Sequence, residues 1–226
     1  GTGEESSCEE GGREEGPGRT GHRLVFVAFE GGEGAGKSTQ ETLLSQSLAD
    51  LGHEIVRTRE PGGTPAAEQI RHVLLSRDNT GLDPRAEALL FAASRGDHVT
   101  RVIRPALERG AIVVCDRFID SSVAYQGYGR ALGPERVRDL SMWATGGLVP
   151  DLTIVLDVDP EVGLSRVANP DRMESEPLEW HRAVRAGFLE IASMHRERYL
   201  VLDASLPVAV LADRILQRVE SMLAPS

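Results

Sequence analysis

The chain has 226 residues and a mass of 24.5 kDa, with 40% hydrophobic and 27% charged residues. A chain of this length can bury a substantial core as one α/β domain, or at most as two small domains. Its 25 basic and 35 acidic residues give a formal net charge of −10, which argues against non-specific binding to nucleic acid.

The first segment, residues 1–22, is acidic and Gly-rich and contains no Leu, Ile, Val or aromatic residue. Such a composition cannot bury enough apolar surface to offset the entropy of ordering, so we expect a disordered tail without the pattern of a secretory signal. No later apolar run approaches the roughly 20 residues that span a bilayer. Cys8 and Cys115 fit neither a disulfide framework nor a metal site. We therefore expect a cytoplasmic protein that does not cross a membrane.

Five short apolar runs indicate β-strands in the rest of the chain. They lie at residues 24–29, 54–59, 111–116, 152–158 and 199–203. The central runs are almost entirely apolar, which is typical of parallel strands that are covered on both faces.

Segments with helix signals separate these runs. Gly52 is a plausible C-terminal stop for the first helix, Asp83 is a plausible N-cap, and Pro134 stands at a first helical position. Pro207 begins a final amphipathic helix. Trp143, in the helix after Pro134, is interpreted as a packing residue. The strand–helix alternation predicts one domain, residues 23–226, with a five-stranded parallel sheet and helices on both of its faces.

The first strand leads directly into a Gly-rich sequence that satisfies G-x-x-x-x-G-K-[ST] and ends in Lys37 and Ser38. The glycines let backbone N–H groups converge on an anion at a helix N-terminus. In this motif the lysine reaches the β- and γ-phosphates and the hydroxyl can bind Mg²⁺. The predicted triphosphate site comprises Gly31, Gly32, Glu33, Gly34, Ala35, Gly36, Lys37, Ser38 and Thr39.

The remaining motifs narrow the class of nucleotide-binding protein. No N-K-x-D string is present to read guanine, and no LSGGQ-like signature of a transport ATPase is present either. Helicases and motors usually need a longer chain. A small kinase with a second anionic pocket beside the loop is the class that fits best.

Candidate residues for that second pocket lie at the C-terminal ends of the other strands, because doubly wound sheets bind ligands there. Arg59 ends the second run and Arg117 follows the third, where they can hold a phosphomonoester in bidentate fashion. Phe91 and Arg95 lie four residues apart on one helical face, which suits a nucleobase. A core position for Phe91 is about as compatible with this spacing.

In combination, these sequences resemble bacterial thymidylate kinase. The similar strings are F-E-G-G-E-G-A-G-K-S-T, T-R-E-P-G-G-T, L-L-F-A-A-S-R, D-R-F with S-S-V-A-Y-Q-G, P-D-L-T-I-V-L-D-V-D-P and D-R-M-E, and they extend over about residues 24–222. The resemblance implies a P-loop NTPase-type three-layer α/β fold with a short lid. It also implies a homodimer that transfers the γ-phosphate of ATP to dTMP with Mg²⁺, giving dTDP.

The resemblance also implies individual roles in binding dTMP. Arg59 would hold the acceptor phosphate with Arg117 beside it, Phe91 would stack on thymine, and Arg95 would hydrogen-bond the edge of the base. Tyr125 would crowd the 2′ position and so disfavour ribonucleotides. The implied dTMP-binding residues are Arg59, Phe91, Arg95, Arg117, Ser122, Tyr125 and Gln126.

Catalytic and metal-binding roles follow in the same way. Glu33 matches an acidic residue near the transferring phosphate and the sugar. Asp116, together with Ser38, would hold the metal and its water shell, or else Asp116 would orient Arg117.

The lid is expected at about residues 166–175, and it is shorter and less basic than usual for the family. In the family that the chain resembles, members without an arginine in the phosphate loop usually have a catalytic arginine in the lid. The loop here has none, so the resemblance implies a lid arginine that stabilises the charge developing in the transition state. Arg172, in D-R-M-E, is the first candidate and Arg166 the second. The predicted catalytic residues are thus Lys37, Arg172, Arg166, Arg117 and Glu33.

Two alternatives stay open at this point. The acceptor could be another deoxynucleotide, such as dUMP or dCMP. The chain could also be a nucleotide-binding regulatory protein with weak turnover, for which the short lid is the one indication.

Overall fold

Apolar runs form a parallel sheet in the part of the chain that the computed structural model describes, residues 25–224. The strands are β1 (Phe26–Glu30), β2 (Ile55–Arg59), β3 (Ile112–Asp116), β4 (Leu152–Asp157) and β5 (Tyr199–Asp203). They are ordered β2–β3–β1–β4–β5, and every neighbouring pair is parallel. The predicted α/β fold is confirmed, with strand ends that differ from their predicted positions by no more than two residues.

Helices connect these strands. Within the described residues they are α1 (Lys37–Asp50), α2 (Pro65–Leu75), α3 (Pro84–His98), α4 (Arg104–Glu108), α5 (Ile119–Ser122), α6 (Pro134–Thr145), α7 (Pro160–Ser165), α8 (Leu178–Met194) and α9 (Val208–Leu223). The predicted cap is present, because the Asp83 side chain accepts hydrogen bonds from the amides of Arg85 and Ala86. Wider, π-type turns at Val99–Ile103 and Val123–Gly129 extend α3 and α5.

The core lies on both faces of the sheet, and β1 is buried from both sides. Phe26 packs in one apolar cluster with Phe188 of α8, whereas Phe29 packs in the other with Leu48 of α1 and Ile215 of α9. Alternate residues of a strand point to opposite faces, so a central strand needs apolar side chains throughout. The C-terminal end of β1, where the Gly-rich loop begins, is therefore held rigidly.

One packing prediction is wrong. Trp143 is 83% exposed. Helix α6 buries Val137, Ser141 and Thr145, which are four residues apart and form one stripe. Trp143 lies two residues from the nearest members of that stripe and consequently faces away from it.

The predicted disordered tail, residues 1–22, lies outside the described residues. Between residues 25 and 224, no helix combines the length and the apolar character needed to cross a bilayer.

Candidate active site

The Gly-rich loop passes between β1 and α1 in contact with other backbone segments. Gly31, at φ 131°, lies so close to β4 that a Cβ atom would overlap the carbonyl oxygen of Leu156. Gly34, at φ 63°, lies equally close to the carbonyl oxygen of Gly163 in α7. No described side chain caps the N-terminus of α1 at Gly36. Its first amides are therefore free to bind an anion.

Lys37 lies in the concavity of this loop and is only 7% exposed. Its ammonium donates hydrogen bonds to the carbonyl oxygens of Gly31 (3.1 Å) and Gly32 (2.9 Å). Burial, together with the nearby Arg117 guanidinium, lowers the pKa of Lys37. The cavity over the loop is lined by Glu33, Gly34, Ala35, Gly36, Lys37, Ser38, Thr39, Asp116 and Arg117.

Arg117 follows β3 in the left-handed region, at φ 67°, which is unusual for a residue other than glycine. Its Nη2 donates to Glu33 Oε1 (3.0 Å) and Oε2 (2.9 Å), and its Nη1 donates to the Gly31 carbonyl oxygen (3.1 Å). The Tyr125 hydroxyl also donates to Glu33 Oε1, at 2.5 Å. Burial by itself would raise the pKa of Glu33, but Arg117 and Lys37 outweigh it and hold that pKa low. Glu33 thus joins the loop to the end of β3.

Glu30, the last residue of β1, holds the Arg117 turn and was missed by the sequence analysis. Its Oε1 accepts hydrogen bonds from the amides of Phe118 (2.8 Å) and Ser121 (3.1 Å). The Ser121 hydroxyl donates to its Oε2 (2.5 Å). Complete burial, followed by the neighbouring Asp120 carboxylate, raises the pKa of Glu30 to about 8. No sequence motif indicated this role for Glu30. The apolar residues before it predicted a strand and nothing about contacts with the turn after β3.

A second cavity adjoins the loop cavity and contains most of the predicted acceptor residues. Glu33, Arg59, Phe91, Asp116, Arg117, Tyr125 and Gln126 all line it. Arg59 pairs with Glu68 (3.0 Å) and its side chain is 52% exposed. The wall also contains Arg71 of α2, which sequence reasoning missed because it follows no strand. Arg71 donates to the Pro61 carbonyl oxygen (2.8 Å), and burial lowers its pKa.

Two predicted dTMP-binding residues, Arg95 and Ser122, do not line this cavity. Arg95 is 1% exposed. Its Nε donates to Glu60 Oε2 (2.7 Å), and its Nη2 donates to the Phe118 carbonyl oxygen (2.9 Å) and to Ser122 Oγ (3.0 Å). Its Nη1 donates to Ser141 Oγ (3.1 Å). Four of the five N–H hydrogens of the Arg95 guanidinium are therefore donated to other groups of the protein. Direct contact of Arg95 with the base, and of Ser122 with dTMP, stays a prediction that this arrangement does not favour.

Gln126 is better placed to read a base. It lines the acceptor cavity and is fully buried. Its Nε2 donates to Glu87 Oε1 (2.9 Å), whereas its Oε1 has no hydrogen-bond partner among residues 25–224. A buried carbonyl oxygen without a partner is costly, so a ligand that donates a hydrogen bond there is favoured.

The two predicted lid arginines have different surroundings. Arg166 follows α7 and its Nη1 donates to the Gly34 carbonyl oxygen of the phosphate loop (2.8 Å). Arg172 is 6% exposed, pairs with Glu87 Oε2 (2.7 Å) and donates from Nε to the Leu74 carbonyl oxygen (2.7 Å). Its guanidinium is committed to a buried ion pair and lines neither cavity described above. The first-ranked candidate is thus held away from both cavities.

The predicted metal residues fit a magnesium ion. Asp116 Oδ1 is buried without a hydrogen-bond partner within the described residues, and both Asp116 and Ser38 line the loop cavity. Oxygen donors of this kind suit Mg²⁺. No cluster of three His, Cys, Asp or Glu side chains that could hold a metal occurs between residues 25 and 224.

Comparisons with known proteins agree with this geometry. The family model described as thymidylate kinase matches residues 29–215. The thymidylate kinase of Clavibacter sepedonicus is 50% identical over 204 residues, which cover 88% of this chain and 96% of that protein. The thymidylate kinase of Cutibacterium acnes is 49% identical over 88% of this chain and 98% of its own length. A crystal structure of thymidylate kinase from Ehrlichia chaffeensis superposes with a TM-score of 0.72 at 33% identity, covering 87% of this chain and 98% of the other.

Proposed function

Since the chain belongs to the thymidylate kinase family and phosphorylates dTMP to dTDP, we propose that ATP with Mg²⁺ is the donor and that both phosphates meet at Arg117. We further propose that the chain works as a homodimer in the cytoplasm, where its nucleotide substrates occur and where the buried Cys115 stays a thiol.

The observation that carries this proposal is the wall that the two cavities share. Glu33, Asp116 and Arg117 line both the cavity over the phosphate loop and the acceptor cavity. A donor phosphate in one cavity and an acceptor phosphate in the other would therefore face each other across the Arg117 guanidinium. ATP and dTMP are both polyanions and repel each other strongly at short range. A fixed cation between their phosphates is therefore required to bring them together.

On the donor side, the backbone provides most of the binding. The free amides at the start of α1 and the Lys37 ammonium surround the place where the β- and γ-phosphates would lie. The close approach of Gly34 to α7 ties this loop to the start of the lid. The donor is thereby oriented by groups that need no reorganisation during the transfer.

On the acceptor side, Arg59, Arg71 and Arg117 would neutralise the phosphate of dTMP. Phe91 would stack on the base, and Tyr125, held by its bond to Glu33, would restrict the 2′ position of the sugar. We assign the edge of the base to the free Oε1 of Gln126, because N3–H of thymine donates a hydrogen bond and N3 of cytosine does not.

Catalysis would consist of alignment and charge stabilisation, because phosphoryl transfer needs little covalent help from the protein. Lys37, Arg117 and Arg166 are the cations nearest the loop in this proposal, and Arg166 would stabilise the charge that develops on the transferring group. The lid would exclude water from the site.

Asp116 and Ser38 are the residues that would hold the magnesium ion. When bound, Mg²⁺ neutralises charge on the β- and γ-phosphate oxygens. Asp116 would also keep the Arg117 turn oriented, since the two residues adjoin at the end of β3.

A substrate panel tests the proposal. Purified full-length protein is assayed for ADP release with ATP and Mg²⁺ against dTMP, dUMP, dCMP, UMP and thymidine. We expect dTMP to be used with the highest kcat/KM and turnover to stop when EDTA removes the metal. Preferred turnover of dUMP or dCMP would overturn the base assignment. Saturable binding of ATP and dTMP without ADP formation would favour the regulatory alternative.

The homodimer proposal rests on an exposed apolar groove between α3 and α6. Leu89 and Trp143 lie in it and are 58% and 83% exposed. Large exposed apolar patches mark interaction sites, and a twofold axis would cover the groove with its own copy. We expect sedimentation at twice the chain mass of 24.5 kDa for the native protein and at the chain mass for Trp143→Glu. Met194→Glu, at a 61% exposed position on α8, is the control and should stay dimeric.

A further inference from the structure

Glu87, on α3, is fully buried and has no part in the mechanism above. Its Oε1 accepts hydrogen bonds from Gln126 Nε2 (2.9 Å) and Arg130 Nε (3.2 Å). Its Oε2 accepts from Arg130 Nη2 (3.2 Å) and pairs with Arg172 Nη1 (2.7 Å). A buried carboxylate is tolerated when its oxygens are satisfied in this way. The same side chain thus contacts the acceptor wall through Gln126 and the lid through Arg172.

The contact with Gln126 determines which end of its amide is turned away from Glu87. An amide side chain has a donating NH₂ at one end and an accepting oxygen at the other. A carboxylate held by two guanidinium groups accepts hydrogen bonds and offers none, so the NH₂ of Gln126 must face Glu87. The carbonyl oxygen is then the end that stays without a partner within the described chain.

We propose that Glu87 is a positioning residue for base selection: it accepts a hydrogen bond from Gln126 Nε2 and thereby presents Gln126 Oε1 to the base. This inference rests on the proposed function, in which that oxygen accepts N3–H of thymine. Glu87 itself touches no substrate.

The consequence is discrimination between pyrimidines. With the oxygen presented, thymine donates to it, whereas N3 of cytosine would oppose one lone pair with another. Rotating the amide by 180° would suit cytosine, but would turn the Gln126 oxygen against the Glu87 carboxylate. The rotated form is therefore disfavoured while residue 87 is a carboxylate. The protein thus discriminates against dCMP through Glu87, a side chain that does not contact the substrate.

Replacing Glu87 also disturbs the ion pairs with Arg130 and Arg172 near the lid. The test therefore needs a control variant that disturbs these ion pairs but leaves Gln126 unchanged. Glu176 pairs with Arg130 Nη2 (2.6 Å) and has no contact with Gln126. Glu176→Gln weakens the same arginine cluster without changing the partner of the amide. If Glu87→Gln changes base selection and Glu176→Gln does not, the change is caused by the orientation of the Gln126 amide.

The experiment measures kcat/KM for dTMP and for dCMP with the native chain, Glu87→Gln, Glu176→Gln and Gln126→Leu. In Glu87→Gln the neutral amide at residue 87 accepts either end of Gln126. We expect the dTMP to dCMP ratio to fall by about tenfold or more, with kcat/KM for dCMP rising. Damage to the structure alone would lower both values together. Glu176→Gln should keep the native ratio.

The outcomes separate the inference from the proposed function. A native ratio in folded Glu87→Gln, when Gln126→Leu lowers the ratio, would overturn the positioning role and leave the base contact standing. A native ratio in Gln126→Leu would overturn both. If Glu87→Gln does not fold, Glu87→Asp keeps the charge between the arginines but reaches one methylene less far toward Gln126. The same fall in the ratio is then expected, and a native ratio overturns the inference.

Discussion

The phosphate loop and the lid both carry predicted catalytic residues, but they present them by different means. In the loop, backbone amides and carbonyls do most of the positioning, and Gly31 and Gly34 are required because neighbouring backbone leaves no room for a side chain. In the lid, the functional group is a guanidinium at the end of a flexible stem. Arg166 reaches the loop, whereas Arg172 is held in a buried ion pair. A site built from backbone can be identified from local sequence, and a site built from long side chains depends on distant partners.

The largest expected effect tests the loop. Lys37→Ala should lower kcat about 1,000-fold, because a buried cation beside the transferring phosphate is lost. ADP release measures the rate, and circular dichroism checks that the variant is folded. Turnover within about tenfold of the native protein would contradict the assignment of Lys37 to the donor phosphates.

Arg172→Ala tests whether this lid arginine acts in stability or in catalysis. The variant leaves the buried Glu87 without one of its cations, so we expect the free energy of unfolding to fall by about 3 kcal/mol. Urea denaturation measures the loss. An unchanged unfolding free energy together with a large loss of kcat would restore Arg172 as the catalytic lid arginine.

Arg166→Ala should show the opposite behaviour. We expect kcat to fall about thirtyfold, which corresponds to about 2 kcal/mol, with the KM for dTMP and the stability little changed. The reason is that its charge is needed mainly in the transition state. Arg182→Ala, at an exposed arginine paired with Glu161 and Glu179, is the matched control and should keep native kinetics. Equal rates for Arg166→Ala and native protein would remove the lid from the mechanism.

The smallest expected effect, counted per pH unit, concerns Glu30, whose buried carboxyl accepts hydrogen bonds from the turn beside the loop. Its pKa is raised from 4.5 to about 8, so the folded state retains a proton that the unfolded state releases. Between these two values the free energy of unfolding should therefore decrease as pH rises, by at most about 1.4 kcal/mol per pH unit. Urea titrations from about pH 5 to about pH 8 should show a flatter dependence for Glu30→Gln. Identical slopes for both proteins would contradict the raised pKa.

The sheet, its five strands and the phosphate loop could be predicted because they are encoded in short stretches of sequence. The run at residues 24–29 is apolar throughout, and its described residues, 25–29, are buried. Gly31, Gly34 and Gly36, which follow it, have the positive φ angles that favour glycine. Trp143 shows the limit of this reasoning. Its apolar character suggested burial, but the stripe that α6 turns inward excludes it.

The acceptor site could be predicted only in part. Arg59 ends a strand and Arg117 follows one, and both were found by that position, whereas Arg71 lies in a helix and carried no such signal. Arg95 was chosen for its spacing from Phe91. The carboxylate of Glu60, which holds its Nε at 2.7 Å, lies in another part of the chain.

By itself, the sequence determined the fold class, the family and the triphosphate loop. The reason is that the apolar strand runs and the glycine pattern are formed by residues that are adjacent in the sequence. Only the tertiary structure decided which groups each arginine contacts. Arg172 donates to the carbonyl oxygen of Leu74, 98 residues earlier in the chain, and pairs with the buried Glu87. A guanidinium pairs with whichever acceptor the fold brings within about 3 Å, and that distance is a property of the packed chain.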